Sequence, residues 1–331
     1  MDINLEKLKK QTDKLYIRSG MFKYYPSRNI QHNGKHIRVN RLNSLFVAQI
    51  IKINSLLANN VGVDAIPYDY FFDYDDGNKT YIYCEVLPEH KKKIDIPKFY
   101  DSIQGYEFLE NIANDKTGKE VFLQAYLKQV LFALFIGDYD RNWSNLIAYF
   151  DNSKKICLYP MFDFDECFAF GSKIDEEILY SFWYLNDKES ALDIKKANEE
   201  PLKEKDIYYT DDNWFHKDFL RLLTKALKEV EETDYFYDVP SDEDQRLATM
   251  LFGNSYEQTN TLSSIFEFCY SKLEDKDFIN RLLGYNLESL FDVQDNHGFN
   301  KRTKLFYLSL MEIQKNKFKR ELEKLETKKI I

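Results

Sequence analysis

From Lys119 to Gly137 the chain reads KEVFLQAYLKQVLFALFIG, and from Phe122 onward apolar residues fall on most faces of any helix it forms. A surface helix keeps one polar face, so a helix of this kind has to lie inside a folded body. The pattern stops at Gly137, and the next stretch, GDYDRNWSNL, crowds two aspartates, an arginine and two asparagines into ten positions. Enclosing such a helix takes a long chain. The 331 residues suit two domains, or one domain of two lobes around a large core.

Composition narrows the class. Apolar residues make up 44%, charged ones 31% and aromatic ones 16%, with 11 Gly and 7 Pro, the balance of an ordered, helix-rich globular chain. The net charge of -9 is divided unevenly. Residues 1–95 hold 15 Lys+Arg against 11 Asp+Glu, and the remainder 31 against 44, giving +4 and -13. A basic front half suits a polyanionic small ligand such as a nucleotide, while nothing marks a surface for direct nucleic-acid binding. Cys84, Cys157, Cys167 and Cys269 form no CxxC pair and read as buried thiols of a reducing compartment. The charged stretch MDINLEKLKKQTDK does not read as a signal peptide, and no apolar run approaches the ~18 residues of a membrane span, so neither is expected. The expected location is the cytoplasm, with secretion as an effector left open.

The order of elements suggests two parts. LYIRSGMFKYYP reads as two short strands about Ser19-Gly20, stopped by Pro26, and PSRNIQHNGK as a loop. RLNSLFVAQIIKINSLLANNVG has the apolar spacing of an amphipathic helix, with Gly62 just past its end. AIPYDYFFDY and KTYIYCEVLP form a hairpin about Asp76-Gly77. These observations predict a β-rich amino-terminal part over residues 1–88, a charged connector over 89–97, and a mainly helical part over 98–331. After the buried helix, NLIAYF and ICLYPMF make a second hairpin around DNSKK. Further helices are expected near 175–186, 216–231, 242–252 (with a capping box from Ser241 and Asp244), 259–271, 275–290 and 302–327.

The chemistry concentrates at the ends of that second hairpin. Asp140 stands five residues before Asn145, and the strand after the hairpin runs into Asp163-Phe164-Asp165. An aspartate, an asparagine five residues on and a second aspartate beyond a hairpin form a phosphoryl-transfer layout. The first orients the acceptor hydroxyl, and the other two supply hard oxygen ligands to Mg2+. Such a site also needs a cation for the phosphates, for which Lys23 in MFKYY is best placed. Backbone groups from Cys84 to Leu87, Glu85 among them, are the candidates for holding adenine. Asp138 reads as a residue that caps or orients the loop, Asp165 as a second metal ligand or a turn residue, and Arg141 as a partner for a nearby carboxylate. The five histidines are scattered and form no metal cluster.

With these residues in hand, the chain resembles the HipA-like family of serine/threonine kinases, including its smaller CtkA-like members, and more distantly the phosphoinositide lipid kinases. The resemblance runs through MFKYYP, NSLFVAQIIKINSLL followed by VGV, TYIYCEV, DRNWSN and LYPMFDFD, about residues 15–170. It implies an α+β, bilobal protein-kinase-like fold, ATP and Mg2+ as cofactors, and a protein substrate bearing a Ser or Thr hydroxyl. It further implies Asp140 as catalytic aspartate, Asn145 and Asp163 as Mg2+ ligands, and Lys23 on the ATP phosphates. The chain departs from the family pattern in three places. Asn142 stands where histidine is common. Leu45, with Gln49 nearby, stands where a helix carboxylate usually pairs with the lysine. Gly20 is alone where a glycine-rich lid would be, leaving PSRNIQHNG, with Ser27, Arg28 and Gly34, to cover phosphates.

Two other functions fit parts of the sequence. A degenerate kinase fold would bind nucleotide or a partner without catalysis. An aspartyl-phosphate phosphatase would use Asp163 as nucleophile and Asp165 as acid/base, although such motifs open alternating βα domains and mostly helices follow here.

Overall fold

A computed structural model describes residues 28–32, 35–42, 45–73, 79–85, 93–95, 116–138, 147–150, 156–162, 164, 167, five positions between 224 and 232, 261–292 and 301–330. The fold mixes helix and strand. In chain order the elements are β1 (Arg28–His32), β2 (Lys35–Leu42), α1 (Leu45–Val61), β3 (Tyr68–Asp73), β4 (Lys79–Glu85), β5 (Lys93–Asp95) and α2 (Lys116–Ile136). Then follow β6 (Ile147–Phe150), β7 (Ile156–Leu158), α3 (Leu262–Lys272), α4 (Asp277–Gly284), a 3-10 turn (Leu287–Phe291) and α5 (Lys301–Ile330).

Strands β1 to β4 make an antiparallel sheet in the order β1-β2-β4-β3. Its first hairpin corrects the sequence reading, which took PSRNIQHNGK as loop. Arg28–His32 and Lys35–Leu42 are paired strands, with His32 opposite Lys35. Only Asn33 and Gly34 separate those partners, and Asn-Gly between two strands is the strongest short hairpin signal. The polar run NIQHNGK hid it. The two strands expected before Pro26 lie outside the described residues. The hairpin of β3 and β4 is present as expected, with Asp73 opposite Lys79. So is that of β6 and β7, where Phe150 faces Ile156. The charged connector contains a strand that the sequence reading lacked, since β5 pairs with β6 and gives a second sheet in the order β5-β6-β7.

The two long interior helices end alike. Gly62 (φ 90°) follows α1, with Gly62 N–H on Asn59 O at 3.3 Å and Val63 N–H on Ala58 O at 2.9 Å. Gly137 (φ 61°) follows α2, with Gly137 N–H on Leu134 O at 3.3 Å and Asp138 N–H on Ala133 O at 2.9 Å. Both are Schellman caps, in which a left-handed residue lets the chain turn back and satisfy two of the last carbonyls.

One core joins α1 to the helices of the back half. From Val130 to Ile136 every residue of α2 is buried, as its apolar run requires. Ile53 and Leu57 of α1, Phe132 of α2, Met161, Phe164, Phe266 of α3, Phe278 of α4 and Tyr307, Leu310 and Phe318 of α5 belong to the same apolar cluster. Phe318 meets Phe135 and Phe266 edge to face, at centroid distances of 5.2 and 5.1 Å. The helix expected over 275–290 divides in two. Tyr285 leaves the helix with extended backbone, and the Asn286 side chain accepts from Glu288 N–H at 3.2 Å to start the 3-10 turn. Helices α3 and α5 match expectation within a few residues, and Thr261 caps α3 by accepting from Ser264 N–H. Thr224, Leu227, Lys228, Glu231 and Glu232 are helical, within or just beyond the window expected near 216–231. The helices expected at 175–186 and 242–252, with the Ser241 capping box, lie outside the described residues. No helix among the described residues is long and apolar enough to cross a membrane.

Candidate functional site

Asp140, Asn145, Asp163, Lys23 and Leu87 lie outside the described residues, while Asp138, Ile147, Phe162, Phe164 and Glu85 near four of them are described. The Schellman cap at Gly137 turns the chain out of α2 three residues before Asp140. Asp138, fully buried, forms an antiparallel bridge with Cys167. Two residues past Asn145, β6 begins at Ile147, and its hairpin with β7 leads back through Leu158 to Met161. Asp163 itself stands between Phe162, which is half-buried, and Phe164, which is fully buried and meets Tyr68 of β3 edge to face at 6.4 Å. The described residues that border Asp140, Asn145 and Asp163 in sequence are thus paired or packed.

The front sheet reaches the same neighbourhood. Ile66, Cys84 and Tyr159 form a small buried cluster, with Tyr68 and Phe162 against it. Tyr159 and Phe162 meet edge to face at 5.9 Å, and Gln129 of α2 donates to Tyr159 O at 3.0 Å. A parallel bridge completes the seam, with Ile66 N–H on Met161 O at 2.9 Å and Met161 N–H on Asp64 O at 2.8 Å. Asn59 of α1 holds the front side of that bridge by donating to Ala65 O at 3.0 Å and accepting from Ala65 N–H at 3.3 Å. The end of β4 therefore sits against the strand that leads into Asp163. Glu85, the last residue of β4, is half-buried and pairs with Ile37.

One cation in this region escaped the sequence reading. Arg38 on β2 is exposed, carries no side-chain partner among the described residues, and stands opposite Cys84, which is itself opposite Tyr68. Residues in one cross-strand row share a face of the sheet, so Arg38 lies on the face whose next two members pack on Tyr159 and Phe162. The stretch of chain it belongs to is basic, since residues 14–63 contain no Asp or Glu and eight Lys+Arg. The signal available in sequence was this acid-free stretch together with the Asn33-Gly34 turn that makes the region a hairpin.

Helix α1 carries no carboxylate, in line with Leu45 and Gln49 standing where one is usual. The ion pair that joins helix to sheet has the opposite polarity. Lys52 Nζ donates to Asp69 Oδ1 of the edge strand β3 at 2.8 Å, and the Tyr83 hydroxyl donates to Asp69 Oδ2 at 2.9 Å. Burial pushes the Asp69 carboxyl up, but the hydrogen bond and charge of Lys52, with Tyr83 and the Tyr70 amide, outweigh it and hold the group below its ordinary value. Gln49, one turn earlier, donates to the Tyr70 hydroxyl at 3.3 Å. No group of three metal-ligating side chains occurs among the described residues.

The chain matches no protein-family model, and comparison with curated proteins finds no match. Among solved structures it is similar to the proinflammatory kinase CtkA of Helicobacter pylori, at 11% identity over 94% of this chain and 97% of that one, with a TM-score of 0.47. It is also similar to a chain in the complex of the Shewanella oneidensis MR-1 toxin–antitoxin system HipA, HipB and its operator DNA. There the identity is 12% over 88% of this chain and 74% of that one, with a TM-score of 0.34. Both likenesses are distant, and the reading of the site rests on the residues themselves.

Proposed function

We propose that the chain is an ATP- and Mg2+-dependent kinase of bilobal, HipA-like fold that transfers the γ-phosphate to a Ser or Thr hydroxyl of a protein. The observation that carries this reading is the buried cluster of Ile66, Cys84 and Tyr159 with Tyr68 and Phe162, which brings the end of β4 against the strand leading into Asp163. Adenine-holding backbone and metal-holding carboxylate have to be neighbours in such an enzyme, and these two segments are.

In this reading Asp140 accepts or orients the proton of the attacking hydroxyl. Asn145 and Asp163 present an amide oxygen and a carboxylate, a donor set that suits a hard, partly hydrated Mg2+. When bound, the metal neutralises charge on the β- and γ-phosphates. Backbone groups at Glu85 and Leu87 hold adenine. Lys23 and the exposed guanidinium of Arg38 offset phosphate charge, Arg38 through a planar fork that matches two phosphate oxygens at once. Catalysis would then come mainly from positioning and electrostatic stabilisation.

Calorimetric titration with a nonhydrolysable ATP analogue, with and without Mg2+, together with label transfer from γ-labelled ATP, tests the reading. Wild type is expected to bind more tightly with Mg2+ and to transfer label. Asp163→Asn is expected to lose the Mg2+ dependence, and Asp140→Asn to bind as wild type does yet transfer nothing. Label transfer by either variant at the wild-type rate overturns the assignment.

The absence of a carboxylate from α1 favours a second reading, a degenerate kinase fold that binds nucleotide or a partner without catalysis. Mg2+-dependent binding without any turnover of wild type would select it.

A further inference from the structure

The C-terminal helix α5 places a buried amide against the end of α2. Gln314, only 3% exposed, donates from Nε2 to Leu134 O at 3.3 Å. Leu134 O is also the acceptor of Gly137 N–H in the Schellman cap. The same carbonyl thus receives one hydrogen bond from the turn that leads toward Asp140 and one from a helix 180 residues later in the chain. Oε1 of Gln314 has no partner among the described residues. A buried amide satisfied on one side only costs stability that an apolar residue of similar size would not. Its neighbours one turn away on that face of α5, Leu310, Met311, Lys317 and Phe318, are all buried. One turn beyond Gln314, Phe318 packs on Phe135, the residue after Leu134.

We propose that Gln314 is a positioning residue for phosphoryl transfer: its amide fixes the Leu134 carbonyl, and through it the Gly137 turn from which Asp140 is presented. It touches neither nucleotide nor acceptor. Orientation of the attacking hydroxyl is sensitive to small displacements of the group that directs it, so a residue that fixes the base of this turn should act on turnover and not on nucleotide affinity. The proposal rests on the kinase reading for the role of Asp140, but not for the state of the turn.

Gln314→Met keeps the length of the side chain and removes the donor. Amide hydrogen exchange at Gly137 and Asp138 is expected to speed up about fivefold to tenfold in this variant, the loss of one ordinary hydrogen bond. Exchange in the middle of α2 should remain as in wild type. The turnover number for label transfer is expected to fall by a similar factor, while the dissociation constant of the Mg2+-bound ATP analogue stays within about twofold. Gln314→Lys, which restores a donor to the position, is expected to regain part of both losses. Wild-type exchange at Gly137 and Asp138 in Gln314→Met overturns the proposal, as does an unchanged turnover number. If the wild type transfers no label, the kinase reading fails and the exchange result alone decides whether Gln314 holds the turn. Should neither variant fold, wild-type exchange decides: protection of Gly137 and Asp138 equal to that of the α2 interior supports the proposal, and free exchange there overturns it.

Discussion

Lys52 is 8% exposed and its partner Asp69 38% exposed, so the pair sits at the border between a buried ion pair and a surface one. Removing the carboxylate takes the charged partner from a nearly buried ammonium, and the cost should exceed that of an exposed pair. Asp69→Asn is expected to lower unfolding stability by about 1–3 kcal/mol, read as a shift in the urea midpoint. The folded carboxyl lies below its ordinary value, so its contribution is present above the unfolded value of about 3.9 and is lost as the pH falls below that. The gap between wild type and Asp69→Asn should therefore narrow on acidification from about pH 6 to pH 3; a gap independent of pH would contradict the assignment of the pair. Asp275 behaves in the same direction. The hydrogen bonds from Arg281 and Lys128 hold it well below the carboxylate range. Such pairs were not legible in the sequence. Nothing in IIKINS says that its lysine meets the aspartate of YDYFFD, since that depends on β3 being the edge strand. Arg38 was hidden for a related reason, because a polar strand and a polar loop have the same composition.

At the scale of elements, the punctuation was legible and the partners were not. Gly62 and Gly137 announced the ends of α1 and α2, and both adopt the left-handed backbone that the position requires. A Cβ at Gly62 would meet nothing closer than Arg281 Nη2 at 3.6 Å, so the cost of a side chain there is one of backbone conformation and not of crowding. Gly62→Ala is expected to destabilise by about 1–2 kcal/mol in thermal or urea unfolding, with little effect on nucleotide binding. An unchanged midpoint would show that the cap can reform without left-handed geometry. The apolar run of α2 correctly placed it inside the core. The hairpin of β1 and β2 was missed because one apolar residue in NIQH gives no period-2 pattern, and β5 because three residues are too few to signal anything. The division between α4 and the 3-10 turn turns on one asparagine cap, which competes weakly with helix continuation until tertiary contacts decide.

For the molecule as a whole, the sequence suggests a β-rich front and a helical back and carries no sign of how residues far apart in the chain adhere. The reason is distance along the chain: Asn54 of α1 accepts from the Tyr307 hydroxyl at 2.9 Å, Asn60 donates to the Tyr285 hydroxyl at 2.7 Å, and Arg281 donates from Nε to Val61 O at 3.3 Å. Helix α5 spans both halves of this arrangement, reaching α1 through Tyr307 and α2 through Phe318. Truncating Phe318 to alanine removes an aromatic side chain that touches two other rings, and should cost about 3–5 kcal/mol. The loss should appear in a single unfolding transition, because the cluster is continuous from α1 to α5. Two separated transitions would mean that the halves unfold independently. The candidate site is proposed from the spacing of the oxygen-bearing side chains Asp140, Asn145 and Asp163, which lie outside the described residues. What encloses it is not legible in the sequence.

The seam of two hydrogen bonds between Asp64–Ile66 and Met161 is short, yet it lies directly between the foot of α1 and the peptide that bears Asp163. The link consists of backbone hydrogen bonds and passes through no side chain. Any molecule that gripped the exposed residues Asn59 and Asn60 would have a handle on the segment that leads into Asp163.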